Sequence, residues 1–277
     1  MSFFGFFSEA RGKKAPQIEP VRNHLAFVLL EEPSLPSAEA LARAFAKYHC
    51  GQGELVVEAS GEGNQKIITV SLPKLGTAFI ALVDAKVPNN EAENHCDYSL
   101  ESLSSPQASI EHRAHLMVTS LGTLEGTTPL EGIDAFTSLL AGIVESSSAT
   151  GVYWGNSRAT HSREFFLSLA GDCSVMPRVI LWNGFSRGRE NKHSMSFLSM
   201  GMNQLGLPEL YLVFPQDETS VAVERFFDLL SYVAQRGEAI PAGDTIGASE
   251  SQRIPVRYVK SPAGDKTTVW KIDLRKG

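Results

Sequence analysis

Residues 115–145 read HLMVTS, LGTLEGT, TPLEGIDAFTSLLAGIVE, and these three pieces decide the fold. The first, His115–Ser120, has the length and apolar content of a strand. The second is a turn. The third opens on Thr128-Pro129-Leu130-Glu131: a threonine cap, proline at the first helical position, and glutamate three residues past the cap. Ile133, Phe136, Leu140 and Val144 then fall on one face, which predicts an amphipathic helix over Pro129–Glu145. The repeating unit is therefore strand, turn, helix.

Working outward, the unit appears twice more. A strand near His24–Leu30 precedes a helix near Ser37–His49, with Leu41, Ala44, Phe45 and Tyr48 on one face. A strand over Leu210–Phe214 precedes a helix over Glu218–Arg236, which Gly237 stops. Between them lie more predicted strands. Glu54–Ala59, Lys66–Leu72 and Thr77–Asp84 form a meander, turning at Gly61-Glu62-Gly63 and Pro73-Lys74-Leu75-Gly76. Val152–Trp154, Val179–Trp182 and Ser194–Met200 follow, and a hairpin-type linker, Ser261–Asp265, joins Val256–Val259 to Thr267–Ile272. A short helix is expected from Ser162 through Phe165, Phe166 and Leu169. The fold class expected is α+β: two similar halves, each a mostly antiparallel sheet packed with one or two helices. A flexible leader covers residues 1–22, the N-terminal half 23–105, and the C-terminal half 110–277.

Hydrophobic residues make up 43% and charged residues 20% of the 277-residue chain, which allows a substantial core and argues against disorder. The net charge of −6 lacks the basic balance of a nucleic-acid binder, so direct nucleic-acid binding is not expected. No apolar run reaches the ~20 residues that span a bilayer, so no membrane partner is expected. The apolar start, with Phe3, Phe4, Phe6 and Phe7, lacks the basic n-region of a signal peptide. Three widely spaced cysteines, Cys50, Cys96 and Cys173, make a disulfide framework improbable and point to a reducing compartment, the cytoplasm.

Charge is uneven. Residues 88–111 hold Glu91, Glu93, Asp97, Glu101 and Glu111 and no lysine or arginine. This stretch is either a docking surface for a basic partner, with Glu91, Glu93, Asp97 and Glu101 as candidate contacts, or a solvated connector. The C-terminal stretch is basic, with Arg253, Arg257, Lys260, Lys266, Lys271, Arg275 and Lys276 against Asp265 and Asp273.

Catalytic chemistry finds little support. Gly184-Phe185-Ser186-Arg187-Gly188 matches the nucleophile-elbow string, but that motif must open into a helix and be followed by an acid and then a histidine. Here a polar connector, Arg189–His193, leads into another strand, and His193 is the last histidine. The reading is a glycine-rich loop. His112 and His115 stand three apart on an expected strand, on opposite faces, and no cysteine has zinc-type spacing. Phosphate-binding glycine loops are absent. No catalytic, cofactor or metal residues are assigned, and no cofactor is expected.

Two stretches carry a resemblance. One is Gly151-Val152-Tyr153-Trp154-Gly155-Asn156-Ser157 with His161–Phe166; the other is Ser199–Leu212, including Gly201, Met202, Gly206, Pro208 and Glu209. Together they resemble an uncharacterised bacterial domain family of unknown function, some members of which occur beside type VI secretion effectors, with the resemblance mainly over residues 110–235. It implies an immunity protein that binds and neutralises a cognate toxin, in one version a nuclease effector whose basic face an acidic inhibitor would cover. The alternatives are a secretion-pathway adaptor or chaperone that binds an effector without inhibiting it, and an unrecognised hydrolase using Ser186 or His161. The motif residues also have structural readings. Trp154 suits a core anchor, Gly155 and Gly201 suit tight backbone, Gly206-Leu207-Pro208 suits a turn, and His161 suits a hydrogen-bonding role.

Overall fold

Thr128 closes the capping box expected of it. Its hydroxyl accepts from the Glu131 amide at 3.3 Å and the Glu131 carboxylate accepts from the Thr128 amide at 2.9 Å. The helix that follows runs Pro129–Glu145. The structure, a computed structural model, describes residues 5–7, 15–59, 67–104, 110–247 and 253–276. Along the chain the elements are β1 (Gly5–Phe7), β2 (Leu25–Leu30), α1 (Ala38–Tyr48), β3 (Val56–Ala59), β4 (Ile67–Leu72), β5 (Gly76–Val83), α2 (Glu91–Asn94), β6 (Ala114–Ser120), α3 (Pro129–Glu145), β7 (Ala149–Trp154), β8 (Ala159–Ser162), α4 (Arg163–Ala170) and α5 (Val175–Trp182). They continue as β9 (Gly184–Asn191), β10 (Ser194–Met200), β11 (Leu210–Pro215), α6 (Thr219–Arg236), β12 (Thr245–Gly247), β13 (Ile254–Pro255), β14 (Arg257–Lys260) and β15 (Thr268–Asp273). The fold is α+β.

Two compact units form, Val21–Gly184 and Met1–Pro20 with Phe185–Gly277. The first holds one sheet in the order β3-β4-β5-β6-β2-β7-β8, each neighbouring pair antiparallel. Alternation along these strands buries Ala26, Val28, Val70, Ile80, Leu116, Val118, Val152 and Trp154 completely. Trp154 meets Phe136 of α3 edge-on at 5.6 Å and Phe166 of α4 at 6.4 Å, which places this face under the helices. α3 crosses α1 at Gly142, where a Cβ would stand 3.0 Å from the Phe45 nitrogen; glycine lets the two backbones meet.

The second unit holds a five-stranded sheet, β14-β15-β11-β10-β9, and a three-stranded one, β1-β12-β13. β10 runs antiparallel to β11 and β14 antiparallel to β15, whereas β11 and β15 run parallel. A parallel pair needs a long crossover, and the chain between them contains α6. Phe226 of α6 packs on Phe185 of β9 and Phe197 of β10.

Several expectations are corrected. The expected break at 105–110 does not divide the chain, because β5 and β6, on either side of it, are neighbours in one sheet with Phe79 opposite Thr119; the division falls after Gly184. Val179–Trp182 is the end of helix α5, not a strand. Gly184–Asn191 is strand β9 at the sheet edge, not a loop. Part of the leader, Gly5–Phe7, pairs with β12. The expected turn at Gly61-Glu62-Gly63 lies outside the described residues. Cys50 and Cys173 form a disulfide across 123 residues, brought together by packing that spacing alone does not reveal. The cysteine count therefore no longer argues for a reducing compartment. Among the described residues no helix is long and apolar enough to cross a membrane.

Candidate partner-binding surface

The acidic connector lies between β5 and β6. Val87 and Ala92 anchor it on Leu29 and Tyr153, with Phe27 and Ile110 packed against them. It then wraps the outer edge of the sheet: Thr160 of β8 donates its amide to the His95 carbonyl at 3.2 Å and its hydroxyl to the Ala92 carbonyl at 2.6 Å. An edge strand that would otherwise offer free backbone groups is covered.

The four candidate carboxylates in this segment have different employment. Glu101 accepts from the Ser162 amide at 3.1 Å and hydroxyl at 2.7 Å, and so supports the cap of α4. Glu93 is only 16% exposed; it lies 3.8 Å from Lys86 Nζ and 3.6 Å from His112 Nδ1. Glu91 is exposed and accepts from the Tyr153 hydroxyl at 3.5 Å. Burial first, and the Glu91 charge second, push Tyr153 up to about 12. Asp97 is exposed. Glu91 and Asp97 are thus the members of the quartet that face solvent.

Beside this segment, on the sheet face opposite the helices, lies an apolar stripe that is exposed at its far end. The register sets Ile67, Ala81, Met117, Phe27 and Tyr153 side by side across β4, β5, β6, β2 and β7. Ile67 is 50% and Met117 38% exposed. Phe27 stacks on Tyr153 at 5.6 Å, so the stripe runs from solvent to the connector and ends beside Glu91. An exposed apolar stripe with an acidic flank is a protein-contact chemistry.

The catalytic alternatives fare differently. His161 has no exposed surface. Its Nε2 faces the Leu181 carbonyl at 3.2 Å, an acceptor only, so Nε2 carries the proton and Nδ1 accepts from the Ser99 hydroxyl at 2.9 Å. Burial pushes its pKa down to about 4. A serine–histidine contact exists, but it is sealed from substrate. Ser186 sits within β9, preceded by helix α5 and followed by more strand, the reverse of a nucleophile elbow. His112 precedes β6 rather than sharing it: its Nε2 accepts from the Val87 amide at 3.0 Å, whereas His115 Nδ1 faces the Ala85 carbonyl at 2.8 Å. No cluster of three or more potential metal ligands occurs among the described residues.

The motif residues hold the fold. Gly155 donates its amide to the Leu25 carbonyl at 3.0 Å, where a Cβ would come within 3.2 Å of that oxygen. Asn156 Oδ1 accepts from the Leu25 amide at 2.7 Å. Met202 is fully buried, and Pro208 is buried just before β11. Gly201 at φ +133° and Gly206 at φ +71° bound a short 3-10 turn. The Glu209 carboxylate closes that turn, accepting from the Ser199 hydroxyl, the Gly201 amide at 2.9 Å and the Asn203 amide at 3.4 Å. Enclosure by this backbone raises the Glu209 pKa, and the four hydrogen bonds from Ser199, Gly201, Met202 and Asn203 oppose the rise.

Residues 198–273 match a domain of unknown function, DUF4261. No curated protein and no solved structure matches the chain. The DUF4261 match takes in β11, α6, β14 and the Glu209 turn, so the Ser199–Leu212 motif lies inside it. The resemblance was expected over residues 110–235; the match begins at Leu198, and Gly151–Phe166 lies outside it. The acidic quartet and the apolar stripe also lie outside DUF4261.

Proposed function

We propose that the chain works by binding a protein, as an immunity protein that neutralises a cognate secreted antibacterial toxin. The observation that carries this reading is the apolar stripe Ile67–Ala81–Met117–Phe27, exposed at Ile67 and Met117 and half-buried at Ala81 and Phe27, with the exposed Glu91 at its Tyr153 end. Its chemistry suits a partner that offers an apolar ridge with basic flanks, such as a nuclease effector of a type VI secretion system whose phosphate-binding face is blocked. The compartment proposed is the cytoplasm. The adaptor reading requires the same surface but no inhibition, and the sealed His161 disfavours the hydrolase.

The test is co-expression with the product of the neighbouring gene, scored for complex formation and for rescue from toxicity. Met117→Arg places a charge in the stripe and should weaken the complex by roughly 10- to 100-fold, the loss expected at a central interface position. Glu91→Lys with Asp97→Lys should slow association, most at low salt. Undiminished affinity in both variants rejects this surface. A complex without rescue supports the adaptor, and the absence of any complex rejects immunity.

A further inference from the structure

Cys50 and Cys173 carry a second chemistry, independent of partner binding. Both residues are exposed. Beneath them Arg178 has no exposed surface. Its Nη2 donates to Cys50 Sγ at 2.9 Å, to the Tyr48 carbonyl at 2.8 Å and to the Ala170 carbonyl at 2.7 Å. Its Nη1 pairs with Asp134 at 2.6 Å, so the guanidinium is fixed with one arm on the sulfur. The other sulfur has a different neighbour. Asp172 directly precedes Cys173, and its carboxylate accepts from the Ser174 amide and hydroxyl, both at 2.8 Å. That carboxylate is bound to the residue before α5 and stands next to Cys173 in the chain, and a negative charge close by disfavours a thiolate. A cation stands at Cys50 and an anion beside Cys173.

We propose that Cys50–Cys173 is a thiol-exchange site, at which Cys173 receives the attack and Cys50 departs as a thiolate held by Arg178. The co-reactant is a dithiol, protein or small molecule. One of its thiols, deprotonated, attacks Cys173 Sγ. The Cys50–Cys173 bond breaks, its electron pair goes to Cys50 Sγ, and a mixed disulfide forms on Cys173. The second thiol of the reductant, after giving its proton to water, attacks its own sulfur in that mixed disulfide. Cys173 is released and takes up a proton, and the reductant leaves as its disulfide. Two electrons pass to the chain. Attack takes this direction because the better-stabilised thiolate leaves faster. The direction also makes Cys50 the reactive thiol of the reduced form.

The test uses the full chain. Mass spectrometry of the air-oxidised protein should find Cys50 joined to Cys173 and Cys96 free. Dithiothreitol should open the bond in the folded protein. After its removal, limiting iodoacetamide at pH 7 should label Cys50 at least about tenfold faster than Cys173, the ratio that one unit of thiol acidity produces. The buried Cys96 should label last. The charged and titratable groups beside the two cysteines are Arg178, with Asp134 behind it, and, adjacent in the chain, Asp172 and His49. Above the ordinary thiol range both cysteines ionise, so the ratio should shrink toward unity by pH 9.5. A ratio unchanged with pH would mean access rather than acidity and would overturn the proposal. Equal labelling at pH 7, faster labelling of Cys173, free thiols after oxidation, or a bond that opens only on denaturation would each do the same.

Discussion

The two compact units each keep a charged side chain largely out of water, and they do so over very different distances. In Val21–Gly184, Arg178 takes acceptors from the end of α1, from Asp134 of α3, and from Ala170 and Asp172 around the end of α4. The farthest, Tyr48, is 130 residues away. In the other unit, Glu209 finds its donors within ten residues, at Ser199, Gly201 and Asn203. The first charge is a tie between helices, the second the lid of a single turn. A buried charge is costly unless its partners are complete. Losing a tie should therefore be felt across a unit, and losing a lid only locally.

The largest effect should come from Arg178→Met. It leaves the Tyr48, Ala170 and Asp172 carbonyls without this donor, and the expected cost is about 3–5 kcal/mol, as for breaking a buried pair, read as a lower denaturant midpoint for Val21–Gly184. Hydrogen exchange should report loosening at α1, α3 and α4 together. If exchange quickens only around α5, the contrast between tie and lid is lost.

Next in size, the two units should respond to acid with opposite signs. The folded pKa of His161 is about 4 against 6.5 for the free side chain. The unfolded chain then binds more protons between these values, so stability is full above pH 6.5 and falls as pH drops toward 4, by up to roughly 3 kcal/mol. His161→Gln should flatten that slope. Glu209 has a folded pKa above its ordinary 4.5. The folded state then holds the proton more tightly, and stability falls as pH rises from 4.5 through the folded value. Denaturant titrations at a series of pH values, read by exchange in each unit separately, check both signs; a common sign in the two units would break the comparison.

The smallest effect tests whether locality, rather than the unit, sets the cost. Thr128→Ala removes a local cap from the unit that Arg178 ties. Its expected cost is about 1 kcal/mol, typical of a lost N-cap, read as a small midpoint shift. Glu131, whose pKa is lowered to about 2 mainly by the residue-128 amide and then by Lys74, loses only the Thr128 hydroxyl in this variant and should stay well below the ordinary carboxylate range.

What could be read from the sequence follows the same division between local and distant. α3 begins and ends where Thr128, Pro129 and the Ile133–Val144 stripe place it. α1 starts after Ser37, whose hydroxyl accepts from the Ala40 amide, and α6 stops at Gly237 in the left-handed conformation. These signals act within one helical turn. Val179-Ile180-Leu181-Trp182 misled because a four-residue apolar run has no period to distinguish strand from helix; the whole of α5, begun after Ser174, packs as a helix. β9 was hidden by Arg187, Arg189 and Glu190, charges that suit a sheet edge as well as a loop. β8, only four residues long, has too few residues to show a period and is not among the expected strands. The acidic segment was visible as composition, but nothing in its spacing shows that Glu101 serves Ser162 while Asp97 faces water. The Cys50–Cys173 bond and the Arg178 tie rest on contacts over more than a hundred residues, and a single sequence carries no local sign of them.

The position of Arg178 also sets a schedule. It stands 128 residues after Cys50 and close to the end of its unit. At roughly 5–20 residues per second, a ribosome takes on the order of ten seconds to cover that distance. Until Arg178 emerges, α1 and then α3 lack the guanidinium that ties them, and Cys50 lacks Cys173 for most of that time. Cys50 emerges as a lone thiol, and the seven-stranded sheet is complete to β8 before its helices are fastened. The last helix of this unit is the fastener, so a ribosome that stalls before α5 would leave a chain with every strand of that sheet but no lock.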